Sequence, residues 1–265
     1  ERRFYQKITD IYATSIDYNN YESAAIIRSP VSSENWDTVF AFTINDDYLT
    51  DFGAIGFGEA GNGDQIMVWK NRSWKSTSPR TDIFAYNLSA DTLMWRNTDL
   101  EVNSGIIPLK VKDGKVFGLV NSHAFALDLQ NGRTLWLKNL RELFTPTLDI
   151  SFFSGDFYLE DDLMIIKGDS DELVTLYAAS GLQKSILQDY GYTFSGRFSY
   201  FEGKLFFGSD GLRIINAYTG ENLINERQRE QFGNIKEAIE IDPLRRVMYF
   251  NDGRFNYCVK IPEGI

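Results

Sequence analysis

Two residue types are almost missing from this chain of 265 residues, which has one histidine, His123, and one cysteine, Cys258. A single cysteine excludes an internal disulfide and any four-thiolate metal site. A single histidine excludes a His-rich metal centre. Cations are in short supply as well: 27 Lys and Arg face 37 Asp and Glu, a net charge of −10. That balance argues against binding a nucleic-acid backbone, which needs clustered cations, and against docking to an anionic membrane surface. No run approaches the roughly 20 apolar residues of a membrane span, and no signal peptide is visible. The chain opens Glu1-Arg2-Arg3 without an initiating Met. The expectation is that something upstream was removed, a targeting segment among the candidates.

What is present is core material and a repeat. With 43% apolar and 15% aromatic residues, disorder is excluded. Residues 124–136 carry Ala126, Asp128, Gly132 and Trp136 at a spacing that Ala85, Asn87, Asp91 and Trp95 reproduce. Weaker copies end at Gly181, Gly220 and Gly264, and a degenerate first copy ends at Asp47. The turn positions 47, 91, 132, 181, 220 and 264 are separated by 44, 41, 49, 39 and 44 residues. A period near 43 is that of a four-stranded, WD40-like propeller blade.

Other turns repeat too. Asp113-Gly114, Asp161-Asp162, Glu202-Gly203 and Asp242-Pro243 each lie between apolar runs, as do Asp210-Gly211 and Asp252-Gly253 one strand later. Asp-Gly marks a hairpin because Gly supplies the positive φ of the turn. One full unit is expected to run through strands at 106–111, 116–120, 124–129 and 134–137. Small sheets that cannot bury both faces alone bury them by stacking around an axis. The expected fold is therefore all-β: one β-propeller domain over residues 1–265 with six blades, five to eight being compatible with the spacing. Arg2–Gln6 would supply the strand that closes the last blade. Helix is expected only as short turns at 140–144 and 234–238.

The pattern Ala-x-Asp-x-x-x-Gly-x-x-x-Trp resembles the repeat of the quinoprotein-like (pyrroloquinoline-quinone type) β-propellers. The resemblance implies that Trp95 and Trp136 pack between neighbouring blades, with Ala85 and Ala126 making room and Asp128, Gly132, Gly181 and Gly220 shaping the docking turns. Later repeats carry Ser185 and Ile224 in place of that Trp, so docking there is expected to use other apolar contacts. The family's enzymes are eight-bladed and carry adjacent cysteines near their quinone. Cys258 stands alone, at the repeat position of Ala126, and is expected to pack in the core. The quinone cofactor is not expected here, and a repeat that packs blades does not itself imply an activity.

No catalytic constellation emerges. His123, in the expected turn 121–123, has no nucleophile elbow to serve. Gly56-Phe-Gly58-Glu-Ala-Gly61 has the letters of a dinucleotide fingerprint but no following helix to aim amides at a phosphate, and reads as a flexible strand edge. Asp169, Asp171 and Glu172 are weak candidates for calcium, because the full calcium-loop pattern is missing. Carboxylates placed for glycoside hydrolysis would meet only in space.

The distinctive surface feature is the stretch Val68–Arg80, expected to be a long loop. It holds Lys70, Arg72, Lys75 and Arg80 with Trp69 and Trp74, and no acid lies between Gln65 and Arg80. Trp and Arg are enriched in binding hot spots. The alternative is that Trp69 is strand core and the loop only flexes in solvent. Equivalent turns carrying His123, Arg254 and Phe255 would share the face. The expected function is a non-catalytic module that holds another protein. The resemblance places it outside the cytoplasm of a bacterium, in the periplasm or cell envelope, as a lipoprotein-type scaffold of outer-membrane protein assembly. The alternatives are a glycan- or small-molecule-binding protein or hydrolase using a central funnel, and an acidic immunity-type protein that neutralises a cationic toxin.

Overall fold

The computed structural model describes residues 10–16, 23–30, 35, 37–43, 48–75, 78–100, 109–120, 122–144, 157–168, 172–188, 198–209, 211–225, 231–233, 235 and 239–261. These residues are almost entirely β. They form consecutive small antiparallel sheets in which each strand pairs with the next in sequence. Sheet 1 holds β1 (Asp10–Ile16), β2 (Ser23–Pro30) and β3 (Asp37–Thr43). Sheet 2 holds β4 (Tyr48–Glu59), β5 (Gln65–Lys75), β6 (Ser78–Asn87) and β7 (Thr92–Asn97). Sheet 3 holds β8 (Leu109–Lys112), β9 (Lys115–Val120), β10 (His123–Asp128) and β11 (Thr134–Asn139). Sheet 4 holds β12 (Phe157–Glu160), β13 (Leu163–Lys167), β14 (Glu172–Tyr177) and β15 (Gln183–Gln188). Sheet 5 holds β16 (Ser199–Phe201), β17 (Lys204–Ser209) and β18 (Gly211–Asn216). Sheet 6 holds β19 (Glu240–Asp242), β20 (Val247–Asn251) and β21 (Asn256–Lys260). Four-stranded meanders repeated in this way are the blades of a β-propeller. Helix among the described residues is one 3-10 turn, Arg141–Leu143, inside the expected 140–144. Of the other expected helical stretch, 234–238, only Ile235 is described; the closing strand Arg2–Gln6 and the first turn at Asp47 lie outside the described residues, as do Gly264 and 106–108.

The chain divides into two compact units, Glu1–Leu137 and Lys138–Ile265, with the boundary inside β11. Middle strands are apolar on both faces. β9 (Lys-Val-Phe-Gly-Leu-Val) is buried from Val116 to Val120, and β13 from Leu163 to Ile166. A strand buried on both faces reads as a continuous apolar run. The outer strands β7 and β21 alternate.

The repeated turn has a physical design. Asp91, Gly132, Gly181 and Gly220 all take left-handed φ, at 56°, 72°, 68° and 76°. Four residues earlier, Asp128 Oδ1 accepts the amides of Gln130 (2.8 Å) and Asn131 (3.1 Å), while the Gly132 amide donates to Asp128 O (2.9 Å). Asn87 and Asn216 cap their turns in the same way. A short polar side chain that bonds its own backbone holds the turn, and glycine enters the left-handed region without a Cβ penalty. The turn expected at Asp242-Pro243 is longer: it spans 243–246 and reverses at Arg246, φ 54°.

Sheets 2 and 3 dock through this turn. The buried Trp95 indole donates from Nε1 to Leu129 O (2.7 Å), Asn97 Nδ2 donates to Gly132 O (2.7 Å), and the ring lies against Gly132. A Cβ on Gly132 would stand 2.6 Å from that ring. The segment Gly56–Gly61 is not a flexible edge. Gly56 and Gly58 lie in β4, and a Cβ on Gly58 would stand 2.1 Å from Val111 Cγ1 of β8. The two glycines let neighbouring sheets approach closely, and the apolar residues of both sheets form one cluster from Ile66 and Val68 to Phe125 and Leu129. Trp136 lies against Phe117 of its own sheet, ring centroids 6.2 Å apart.

In Lys138–Ile265 the expected apolar contacts are present between neighbouring sheets, and a polar contact stands at the position of the missing Trp. Ser185 Oγ donates to Ala217 O (3.3 Å), the carbonyl that corresponds to Leu129 O, beside the apolar cluster of sheets 4 and 5. Sheets 5 and 6 share a third cluster, containing Ile224, and an Arg246–Glu202 ion pair. Cys258 is exposed, against the expected core position. It lies on β21, the edge strand of sheet 6 among the described residues, whose alternate residues face out.

Gly58→Ala should destabilise the protein by about 1–3 kcal/mol, because the stiff Val111 side chain cannot yield. Gly61→Ala, where a Cβ meets nothing within 4 Å, should stay within about 0.5 kcal/mol of the native protein in urea unfolding. Trp95→Phe, which keeps a ring and strands the Leu129 carbonyl, should cost about 1–3 kcal/mol.

Candidate partner-binding site

The basic stretch from Val68 to Arg80 is a paired hairpin and not a loop. β5 and β6 pair from Ile66↔Asn87 to Lys75↔Ser78, and β4 runs along the other side of β5 from Glu59↔Gln65 to Tyr48↔Trp74. The three strands have 12, 11 and 10 residues, against three to eight for every other described strand. β7 covers β6 only from Ile83 to Asn87. The outer halves of β4, β5 and β6 are therefore a three-stranded extension of sheet 2.

Register sets the composition of this extension, since residues directly opposite one another are cross-strand neighbours. Tyr48, Trp74 and Pro79 form one row, Leu49, Ser73 and Arg80 the next, and Asp51, Arg72 and Thr81 the third. Lys75 stands opposite Ser78 at the tip. The run that lacks acids in sequence thus has Asp51 set beside Arg72 by an adjacent strand. Tyr48 and Asp51 were missed because they are 26 and 21 residues distant in sequence from their cross-strand partners Trp74 and Arg72. The run Tyr48-Leu-Thr-Asp-Phe, following Asn45-Asp46-Asp47, was the signal of a strand.

The base of the extension is core. Trp69 is fully buried, stacked on Phe84 with centroids 5.2 Å and planes 7° apart, and tilted against Phe40 at 5.4 Å. Lys70, 1% exposed, is buried with it. These two residues therefore anchor the hairpin and offer no surface to a partner. Asp82, also buried, takes an ion pair from Arg96, whose guanidinium lies 5.5 Å from the Phe84 ring. Tyr86 hydroxyl donates to Asp91 Oδ1 (2.7 Å), and burial together with that carboxylate pushes its pKa up to about 12.

The remaining expected site residues fall in separate places. His123 is the first residue of β10, opposite Val120, and not a turn residue. Glu172 opens β14 and is buried. Asp169 and Asp171 lie outside the described residues. Among the described residues, no three His, Cys, Asp or Glu side chains stand together as metal ligands would.

Arg254 and Phe255 lie at the β20–β21 turn. Asp252 Oδ1 accepts the amides of Arg254 (2.8 Å) and Phe255 (2.7 Å), Oδ2 accepts the Tyr257 hydroxyl (2.9 Å), and Asn251 bonds Asn256. The Phe255 and Arg254 amides hold the Asp252 carboxyl below its usual range. Phe232, Phe250 and Tyr257 pack as an aromatic base beneath the turn, and Phe255 is 64% exposed. Ordering before contact removes part of the entropic cost of binding.

Within this geometry the class is defined as far as its fold: an all-β protein of propeller blades with one blade drawn out into a hairpin. No protein-family model matches the chain, and no curated protein matches it. Solved structures that are similar include BamB from Moraxella catarrhalis, with 15% identity, a TM-score of 0.48 and coverage of 95% of this chain and 90% of that one. The computationally designed Ika4 protein has 12% identity and a TM-score of 0.45, covering 62% of this chain and 96% of its own. A europium-containing methanol dehydrogenase has 13% identity and a TM-score of 0.46 over 80% of this chain, which spans about half (52%) of that enzyme.

Two outcomes follow. Asp252→Ala should speed hydrogen exchange at the Arg254 and Phe255 amides, and acid should do the same in the native protein. A lowered carboxylate pKa gives an interaction that is complete above the unfolded value and lost as pH falls through the folded one. Tyr86 works in the opposite direction. Its raised pKa gives stability that is complete below the ordinary tyrosine value of 10 and lost as pH climbs toward about 12. Tyr86→Phe should flatten that alkaline loss in a pH series of urea unfolding curves.

Proposed function

We propose that this chain is a non-catalytic propeller module that holds another protein, and that the extension of sheet 2 is the contact. The observation that carries this is the length of β4, β5 and β6 beyond the strands of every other described sheet. The added length is not needed to bury Trp69 and Val68, which already lie in the shared region of the sheet. It sets Tyr48, Trp74 and Pro79 in one register row, with the cations Arg72, Lys75 and Arg80 at neighbouring positions of the same paired strands. Tyr, Trp and Arg are the residue types that dominate binding energy at protein interfaces. Strands hold such groups more rigidly than a loop would, which is what a binding site requires of its scaffold. Arg254 and Phe255, on a turn ordered by Asp252, are a second contact of the same chemistry.

The proposal extends to place and architecture. The module is a single closed propeller working outside the cytoplasm of a bacterium, with a protein as partner and no quinone in its mechanism. The support for the location is the resemblance of the repeat at Ala126, Asp128, Gly132 and Trp136 to that of the quinoprotein-like propellers.

A photo-crosslinking residue placed at Trp74 tests the contact. It should give a discrete adduct with one protein in the native host, and Arg72→Ala should reduce that adduct by at least about tenfold, as removal of a hot-spot cation does. An equal yield from a crosslinker at the remote turn residue Asp113, or an adduct indifferent to Arg72→Ala, would contradict it.

A further inference from the structure

Sheets 4 and 5 meet at a cluster that the protein-binding proposal does not use. Lys184 of β15 places Nζ 5.3 Å from the centroid of the Tyr177 ring and 5.9 Å from that of Tyr218. Both distances are within the range at which an aromatic face attracts a cation. Tyr218 lies in the turn after β18, and its hydroxyl donates to Asp162 Oδ1 (3.5 Å). Tyr200 of β16 donates to Asp161 Oδ2 (2.6 Å). Tyr177 is the first cause of the raised Lys184 pKa, with the Asp162 charge contributing. Two tyrosine faces hold one ammonium, and a third tyrosine and two carboxylates stand around them.

We propose that this cluster is a binding site for a methylated ammonium group, held closed by the chain's own Lys184. The ligand class is a quaternary ammonium such as choline or a trimethylated lysine side chain. The rings supply the attraction, and Asp161 and Asp162 supply the negative field. Lys184 shows that the position accepts a cation, because it already holds one. A primary ammonium is compact and strongly hydrated. A quaternary ammonium has no N–H to satisfy, sheds its water more easily, and gains more from the ring faces. Lys184 is also partly solvent-facing and tethered by a flexible stem, so it can leave. While it stays, it competes at the effective concentration of a short tether, on the order of millimolar.

Calorimetric titration of choline into native protein, Lys184→Ala and Lys184→Met tests this. The two variants should bind choline with a Kd on the order of millimolar, and the native protein at least about tenfold more weakly, because the tethered lysine is removed only in the variants. Dimethylbutanol, the neutral isostere of choline, should not bind. In the Lys184→Ala background, Tyr218→Phe should retain binding and Tyr218→Ala should abolish it. A parallel titration with acetylated, amidated trimethyllysine separates the two sources: binding of either ligand supports the site, and the tighter one names its source. If Lys184→Ala does not fold, judged by circular dichroism, Lys184→Met, which keeps the stem, provides the result. Folded variants that bind neither ligand, or that bind dimethylbutanol as well as choline, would overturn the proposal. This outcome is independent of crosslinking at Trp74, which lies in the other compact unit.

Discussion

One hydrogen bond organises the first half of this protein: the indole N–H of Trp95 reaching the carbonyl of Leu129 in the next sheet. The acceptor sits in a turn whose shape is already set by Asp128 and by the left-handed Gly132. The turn must be formed before the Trp ring can lie on it, and the glycine must lack a side chain for the ring to fit. Local turn chemistry and long-range docking are thus one device. Around it, Gly56 and Gly58 let β4 approach β8, and the apolar residues of both sheets join in a single core.

The second half keeps the contact and changes its chemistry. Ser185 stands where Trp95 stands and donates to Ala217 O, the matching carbonyl. A hydroxyl fills far less space than an indole. Near it the Lys184, Tyr177, Tyr200 and Tyr218 group adds polar contacts at the same seam. The sheets dock without that Trp, through an apolar cluster with polar contacts beside it, and those polar contacts are what make the Lys184 cluster a candidate site. The extended hairpin of sheet 2 depends on the docked core in turn, because Trp69 and Lys70 at its base are held within it.

The blades were legible in the sequence because their signals are local. The turn positions 91, 132, 181 and 220 follow from Gly and Asp spacing, and the structure reverses the chain at each of them. The binding surface was less legible for the same reason. Cations and tryptophans crowded together between Gln65 and Arg80 looked like a loop, since local chemistry does not reveal that Tyr48–Gly53 pairs alongside. Asp51 beside Arg72 and the burial of Lys70 are consequences of register across strands distant in sequence. Cys258 failed for a related reason: equivalence within a repeat predicts the position on a strand, whereas exposure depends on what covers that strand. Tyr200 reaching Asp161 across 39 residues left no trace in spacing at all.

The central claim is that the turn carbonyl is the docking point in both halves, whichever side chain donates to it. Ser185→Ala tests it most directly, because the substitution removes one oxygen atom and nothing else. Urea unfolding should show a loss of about 1–3 kcal/mol, the cost of leaving the Ala217 carbonyl without its donor at a partly buried seam. A Ser185→Ala protein as stable as the native one would show that the carbonyl contact is incidental and that apolar packing alone joins the sheets.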